Sequence, residues 1–246
     1  DFSRGALYDN ANNIVFTGQT LSTNLPILGG LSSTLTGSYD LYISKLNSTG
    51  SALIFSTYFG GASQDYPAGL ALDNVNDIYI CGSTYSTNFP TTTGVIKTTL
   101  TGVNTYDCFV SKINNTCTSL IYSTYLGGTT WDYAACLRVE KNKNAYICGY
   151  TFSNDYPVTT GAYDVTFNGS YDGFITKINT TATSIIFSSF LGGISFDFLN
   201  SIALDDRNNI YAQGSTLSLN YPFTPGAFKT SFVNAGQYET VVSCLD

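Results

Sequence analysis

Short apolar runs bounded by turn formers fill this chain, and none of them carries the spacing of a helix. Leu70, Ala71 and Leu72 make a brief run that closes on an Asp- and Asn-rich turn from Asp73 to Asp77. Ile78 to Cys81 follows, continuously apolar, and ends at Gly82. A run of this length suits a strand covered on both faces. A loop of about 20 residues comes next, with Phe89-Pro90 near its start and Gly94 four residues after the proline. Pro and Gly at those points direct turns rather than helix. Two more runs, YDCFVSKIN and SLIYSTYLGG, complete a unit of four strands.

The unit recurs along the whole chain. DFSRGALYDNANNIVFTGQTLSTNLP starts at Asp1, DYPAGLALDNVNDIYICGSTYSTNFP at Asp65, DYAACLRVEKNKNAYICGYTFSNDYP at Asp132 and DFLNSIALDDRNNIYAQGSTLSLNYP at Asp197. The copies are 64, 67 and 65 residues long, and the last has 50. The strand-ending glycine repeats as Gly18, Gly82, Gly149 and Gly214, and the loop turn as Leu25-Pro26, Phe89-Pro90, Tyr156-Pro157 and Tyr221-Pro222. Self-similarity at this period, with four short strands per copy, predicts an all-β propeller. The expected organisation is one domain over 1–246, with blades at 1–64, 65–131, 132–196 and 197–246. Each blade has four antiparallel strands, except that the last lacks its outer one.

The succession STYLGG, then Asp, then GLALD, NDIYICGST, FP and DCFVSKIN is similar to the SBBP-type β-propeller repeat, a relative of NHL- and WD-type blades. The resemblance implies a propeller, a secreted or cell-surface setting and no general catalytic motif. The family's name suggests seven blades, so four copies leave two arrangements open: a compact four-bladed ring, or a slice of something longer.

Composition narrows the function. Charged residues make up 11% of the chain and the net charge is -7, which argues against a nucleic-acid partner because phosphate binding needs a basic face. The absence of histidine removes Ser-His-Asp and Cys-His catalysis and His-based zinc sites. With no methionine either, Asp1 is expected to be a processed, excised or chosen start. No apolar run is long enough to span a membrane as a helix.

Four sets of residues carry candidate chemistry. Asp1, Asp65, Asp132 and Asp197 occupy one equivalent position before the innermost strand. In a closed ring they would circle a channel mouth and hold Ca²⁺ or Na⁺; capping of their own turns is the alternative. Equivalent ring positions supply none of the asymmetry that a glycosidase pair needs, so no enzyme is expected. Tyr58, Tyr125 and Phe190, with Phe89, Tyr156 and Tyr221, read as packing between blades, the loop aromatics also as a sugar-stacking platform.

The six cysteines suggest an oxidising compartment. Strand adjacency predicts bridges Cys136–Cys148 and Cys81–Cys108, leaving Cys117 and Cys244 free or linking subunits. The sequons at Asn47, Asn114, Asn168 and Asn179 are expected to carry N-glycans, three of them at one repeated turn.

The last strand, Tyr238 to Leu245, is an edge with only Glu239 and Asp246 as charges. Cys244 stands there in place of Lys45, Lys112 and Lys177. An uncovered edge is a template for another strand. Tyr238, Val241 and Cys244, with Cys117 of a neighbour, are therefore candidate contacts between subunits. The expected function is a non-enzymatic, self-associating extracellular structural subunit: a filament, sheath or surface-layer component. The alternative is a secreted module that binds glycan or metal.

Overall fold

Each repeat becomes one antiparallel sheet because its apolar runs are short and its connections hold Asp, Asn, Gly and Pro. The computed structural model describes residues 1–231 and 236–245; Asp246, one of the two expected edge charges, lies outside them. The first sheet runs β1 (Phe2–Tyr8), β2 (Ile14–Thr20), β3 (Asp40–Leu46) and β4 (Leu53–Phe59). The second holds β5 (Asp65–Leu72), β6 (Ile78–Thr84), β7 (Asp107–Ile113) and β8 (Leu120–Leu126). The third holds β9 (Asp132–Val139), β10 (Ala145–Thr151), β11 (Asp172–Ile178) and β12 (Ile185–Leu191). The fourth has three strands, β13 (Asp197–Leu204), β14 (Ile210–Thr216) and β15 (Glu239–Leu245). Among the described residues there is no helix.

The second strand of each blade runs past the glycine that the sequence reading placed at its end. Gly82 lies inside β6, and a Cβ there would stand 2.0 Å from the Tyr66 carbonyl oxygen. The inner strand bulges opposite this point, between Pro67 and Gly69 in the second blade, and Gly149 and Gly214 face the same crowding in theirs. The glycine therefore allows close strand approach at a bulge rather than ending the strand.

The apolar cores lie between blades. Leu41, Ile43 and Phe59 of the first blade pack with Ile80, Phe89 and Phe109 of the second. Tyr79, Val110 and Tyr122 of the second pack with Leu137, Phe174 and Phe190 of the third. Ile175 and Leu191 of the third pack with Leu199, Ile202, Tyr221 and Val241 of the fourth. Packing runs from each blade to the next in sequence, and β1 and β13 are not packed on each other. β1 is exposed along nearly its whole length, with Phe2 and Tyr8 in solvent. Among the described residues the first and fourth blades share no substantial packing, so the four blades form an open run.

Phe174 is fully buried between the second and third blades. Phe174→Ala is expected to lose about 3–5 kcal/mol by denaturant unfolding, while Ile186→Ala, at a half-exposed position, changes stability by no more than about 0.5 kcal/mol. Equal losses at both sites would contradict the placement of the core.

Candidate functional site: the carboxylate junctions between blades

The polar residues of the repeat gather at one end of every sheet. In register, Asp65 stands opposite Thr84, which stands opposite Asp107. Asp132, Thr151 and Asp172 form the same row in the third blade. Asp197, Thr216 and Glu239 form it in the fourth.

The rows continue from blade to blade. The Asp65 carboxylate accepts hydrogen bonds from the Gly61 amide of the preceding blade at 2.7 Å and from the Thr84 and Ser86 hydroxyls at 2.5 and 3.0 Å. Asp132 accepts from the Gly128 amide at 2.9 Å, from Ser153 at 3.1 Å and from Thr151. Asp197 accepts from the Gly193 amide at 2.7 Å and Ser218 at 2.6 Å. Main-chain bonds reinforce each crossing, since the amides of Asp65, Asp132 and Asp197 donate to the carbonyls of Tyr39, Tyr106 and Tyr171.

A second aspartate, from the third strand of the preceding blade, completes each junction. A Cβ on Gly60 would stand 2.7 Å from Asp65 and 2.8 Å from Asp40, so two carboxylates flank one glycine. Gly127 is flanked likewise by Asp132 and Asp107, and Gly192 by Asp172 and Asp197. All six carboxylates are buried. Burial, followed by the neighbouring carboxylate, pushes Asp65 up to about 6, Asp132 to about 7 and Asp172 to about 7. Burial also lifts Asp107 to about 6 against the pull of Lys97, whose ammonium sits 2.6 Å away.

Residues 54–90 match the family model described as SBBP, a beta-propeller repeat. That segment carries one SBBP beta-propeller repeat. The matched SBBP segment begins inside β4 and ends at Pro90, so it contains Gly60, Gly61, Asp65, Thr84 and Ser86 of one junction but not the second aspartate, Asp40. No curated protein matches the chain.

The expected ring of metal-binding aspartates is corrected by these contacts. Asp65, Asp132 and Asp197 each lock their own junction, and Asp1 bonds only Thr20 and Ser22 of its own blade. Among the described residues no three His, Cys, Asp or Glu side chains stand together as metal ligands. The partner aspartates Asp40, Asp107 and Asp172 were not among the expected site residues, although a Tyr-Asp pair opens every third strand but the last, which has Tyr238-Glu239.

The remaining expectations resolve as follows. All six cysteines are free thiols, so neither predicted bridge is present. Cys136 and Cys148 do stand opposite each other, but Cys81 faces Val110 and Cys108 faces Ser83, an offset of two positions. The Cys148 thiol, aided by Arg138 at 3.2 Å, holds the Cys136 thiol below its ordinary value. Cys117 is fully buried in the turn between β7 and β8 and packs in the core between the first and second blades. Val241 is buried against the third blade, whereas Tyr238 and Cys244 are exposed. Phe89, Tyr156 and Tyr221 are buried between blades, which removes the sugar platform placed on them. Asn47, Asn114 and Asn179 accept main-chain hydrogen bonds within their turns, such as Thr118 to Asn114 at 2.8 Å, and Asn168 is exposed in its loop.

A row of aromatic rings, also passed over, runs beside the carboxylates. Tyr39, Tyr66, Tyr106, Tyr133, Tyr150, Tyr171 and Phe198 follow one another with ring centres 5.1–6.4 Å apart. They are half-buried, with one side open to solvent.

The buried aspartates set a pH dependence whose sign follows from their shifts. Asp65, Asp107, Asp132 and Asp172 titrate higher folded than unfolded, so the folded protein holds more protons and loses stability as pH rises from about 4 toward 7. Asp9, lowered to about 2 by Lys45 and Asn13 despite its burial, works the other way and its contribution is lost below about pH 4. Maximum stability is expected near pH 4–5. Asp132 faces Asp107, with Lys97 and Asp155 around that carboxylate. Asp132→Asn should remove on the order of 1 kcal/mol per pH unit from the slope between pH 5 and 7, read from denaturation midpoints. An unchanged slope would show that Asp132 does not titrate there.

Proposed function

We propose that this chain is a non-enzymatic, extracellular structural subunit that associates with copies of itself, as in a filament, sheath or surface layer. The observation that carries the reading is the open run of blades. β15 is an edge strand on which Thr240, Val242 and Cys244 point outward and are exposed, while Val241 is buried. A groove of about 1200 Å³ runs beside it, lined among others by Tyr146, Phe187, Tyr221 and Phe228. An edge whose one described charge is Glu239, beside a groove that mixes apolar residues with Lys177, Arg207 and Lys229, has little to repel a further strand. A contact between unlike faces that does not close propagates as a filament. The buried carboxylates fit this non-catalytic role, because their hydrogen bonds are spent on holding blades together and not on an accessible cleft. Glycans at Asn47, Asn114, Asn168 and Asn179 would cover a rim that has few charges.

A second reading, glycan binding, is favoured by the half-exposed tyrosine row, whose rings offer stacking faces along the blade ends. Binding on a glycan array that Tyr133→Ala abolishes would support it over self-association.

Light scattering over a concentration series separates the two. Self-association predicts a mass that grows with concentration in the native chain and stays monomeric in Val242→Lys. Val242 is 72% exposed, so the substitution itself should change stability by less than about 0.5 kcal/mol. A native chain that remains monomeric throughout rejects the structural reading.

A further inference from the structure

In the first three blades the outer strand fills a slot with two walls. One wall is the third strand, where the hydroxyl pairs Ser44–Ser56, Ser111–Ser123 and Thr176–Ser188, each at 2.8 Å, mark the same rung. The other wall is the loop that follows the second strand. The amides of Leu28, Thr92 and Thr159, each two residues after the loop proline, donate to the carbonyls of Ser56, Ser123 and Ser188 at 3.1, 3.0 and 2.9 Å. Further along the loop, the carbonyls of Ser32, Lys97 and Asp164 accept from the amides of Tyr58, Tyr125 and Phe190 at 3.1, 3.0 and 3.0 Å. Each outer strand is therefore hydrogen-bonded along both of its sides.

The fourth blade has both walls, and among the described residues no strand pairs with the outer side of β15. Ser243 occupies the rung of Ser111 and Thr176, since it faces Ala212 as they face Ile80 and Ile147. Its hydroxyl bonds Tyr221 at 3.0 Å, as Thr176 bonds Tyr156, but the outer serine of that rung has no counterpart among the described residues. Thr224, two residues after Pro222, and Lys229 stand where the second blade has Thr92 and Lys97. Thr224 is exposed, whereas Thr92 and Thr159 are half-buried beside their strands. Between the walls lies the groove of about 1200 Å³, floored by Tyr146, Phe187 and Leu191 of the third blade. Lys229 adds a requirement on what enters it. In the second blade the Lys97 ammonium pairs with Asp107 at 2.6 Å and donates to the carbonyls of Gly127 and Gly128, which follow β8, at 2.9 and 3.4 Å. Lys229 pairs with Glu239, which faces Thr216 as Asp107 faces Thr84, so the anion of that cage is in place.

We propose that this groove binds one strand of a neighbouring polypeptide with the pattern of β8 and β12: aromatic, Ser, Ser or Thr, aromatic, Leu, Gly, Gly. The occupant follows from continuity, because the same two walls hold β8 and β12 in the blades before. The first serine completes the Ser243 rung and accepts from the Thr224 amide, and the Gly-Gly carbonyls complete the cage of the Lys229 ammonium. The second aromatic lies on Tyr221, as Tyr125 lies on Phe89 with ring centres 6.1 Å apart. Main-chain bonds along the strand supply affinity, and the side-chain pockets select sequence. The inference deepens the edge-strand reading of β15 and rests on it, but it does not require the donor to be a copy of this chain.

Fluorescence anisotropy tests the proposal, with a dye-labelled peptide SLIYSTYLGG, the sequence of residues 119–128, titrated with the full chain below any concentration at which it assembles. Saturable binding is expected. Ser123→Pro in the peptide removes the amide that bonds the loop wall in the second blade and should abolish binding. Deleting the two glycines should weaken binding about tenfold, the worth of a hydrogen bond to a charged group, and Lys229→Gln in the chain should do the same. Both changes together should lose no more than either alone. No saturable binding overturns the proposal, as does equal binding of the proline peptide or losses that add in full. A chain that binds the peptide yet stays monomeric at every concentration rejects self-association and leaves the strand site standing. One that assembles and ignores the peptide rejects the strand site and leaves self-association standing.

Discussion

The hydrogen bond from a glycine amide at the end of one blade to a buried aspartate at the start of the next is the contact on which the structure depends. It fixes where each inner strand begins, and through register it places Thr84, Thr151 and Thr216 beside those carboxylates. Removing either partner leaves a buried polar group without compensation, which costs more than the bond itself contributes. The second aspartate brings a like charge into the same low-dielectric space, which adds to burial in raising Asp65, Asp132 and Asp172. The same arrangement explains the paired glycines, since any side chain at Gly61, Gly128 or Gly193 would collide with the serine of the following blade.

Much of the fold was legible because the repeat specifies it four times. Blade boundaries, strand order and the packing role of Phe89, Tyr156 and Tyr221 follow from positions that recur with the same character. What a repeat does not encode is the relation between non-neighbours, so nothing in the sequence decided whether the first and fourth blades meet. Register was readable only across short turns. Cys136 and Cys148 flank a tight hairpin and do stand opposite, whereas the loop of about 20 residues between β6 and β7 leaves register free, and Cys81 misses Cys108 by two positions.

The junction itself was half legible. Asp65, Asp132 and Asp197 were visible as equivalent residues, but their partners Asp40, Asp107 and Asp172 come from the blade before, and no local spacing links the two. A ring of like residues suggested a shared ligand because the alignment superposes them. In space each one is separated from the next by a whole sheet, and its nearest carboxylate is of the other kind. The ion pairs on the opposite side obey the same logic. Lys45, Lys112 and Lys177 reach Asp9, Asp73 and Glu140 at the inner turns, and Cys244 leaves Asp205 of the fourth blade without that cation.

The cores lie between sheets and the matched repeat segment runs from the outer strand of one sheet into the next. The matched unit therefore spans a boundary between two blades and not one blade. In an array where each member touches only its neighbours, stability is the sum of such interfaces. A duplication cut near residue 54 keeps the Gly61–Asp65 bond and the Phe59–Phe89 contact within one copy, with the preceding copy supplying the equivalents of Asp40, Leu41 and Ile43. One cut at residue 65 copies a sheet with two unmatched faces. Lengthening by the first route adds each blade with its lock to the blade before already encoded, so blade number can change while the contact between neighbours stays the same.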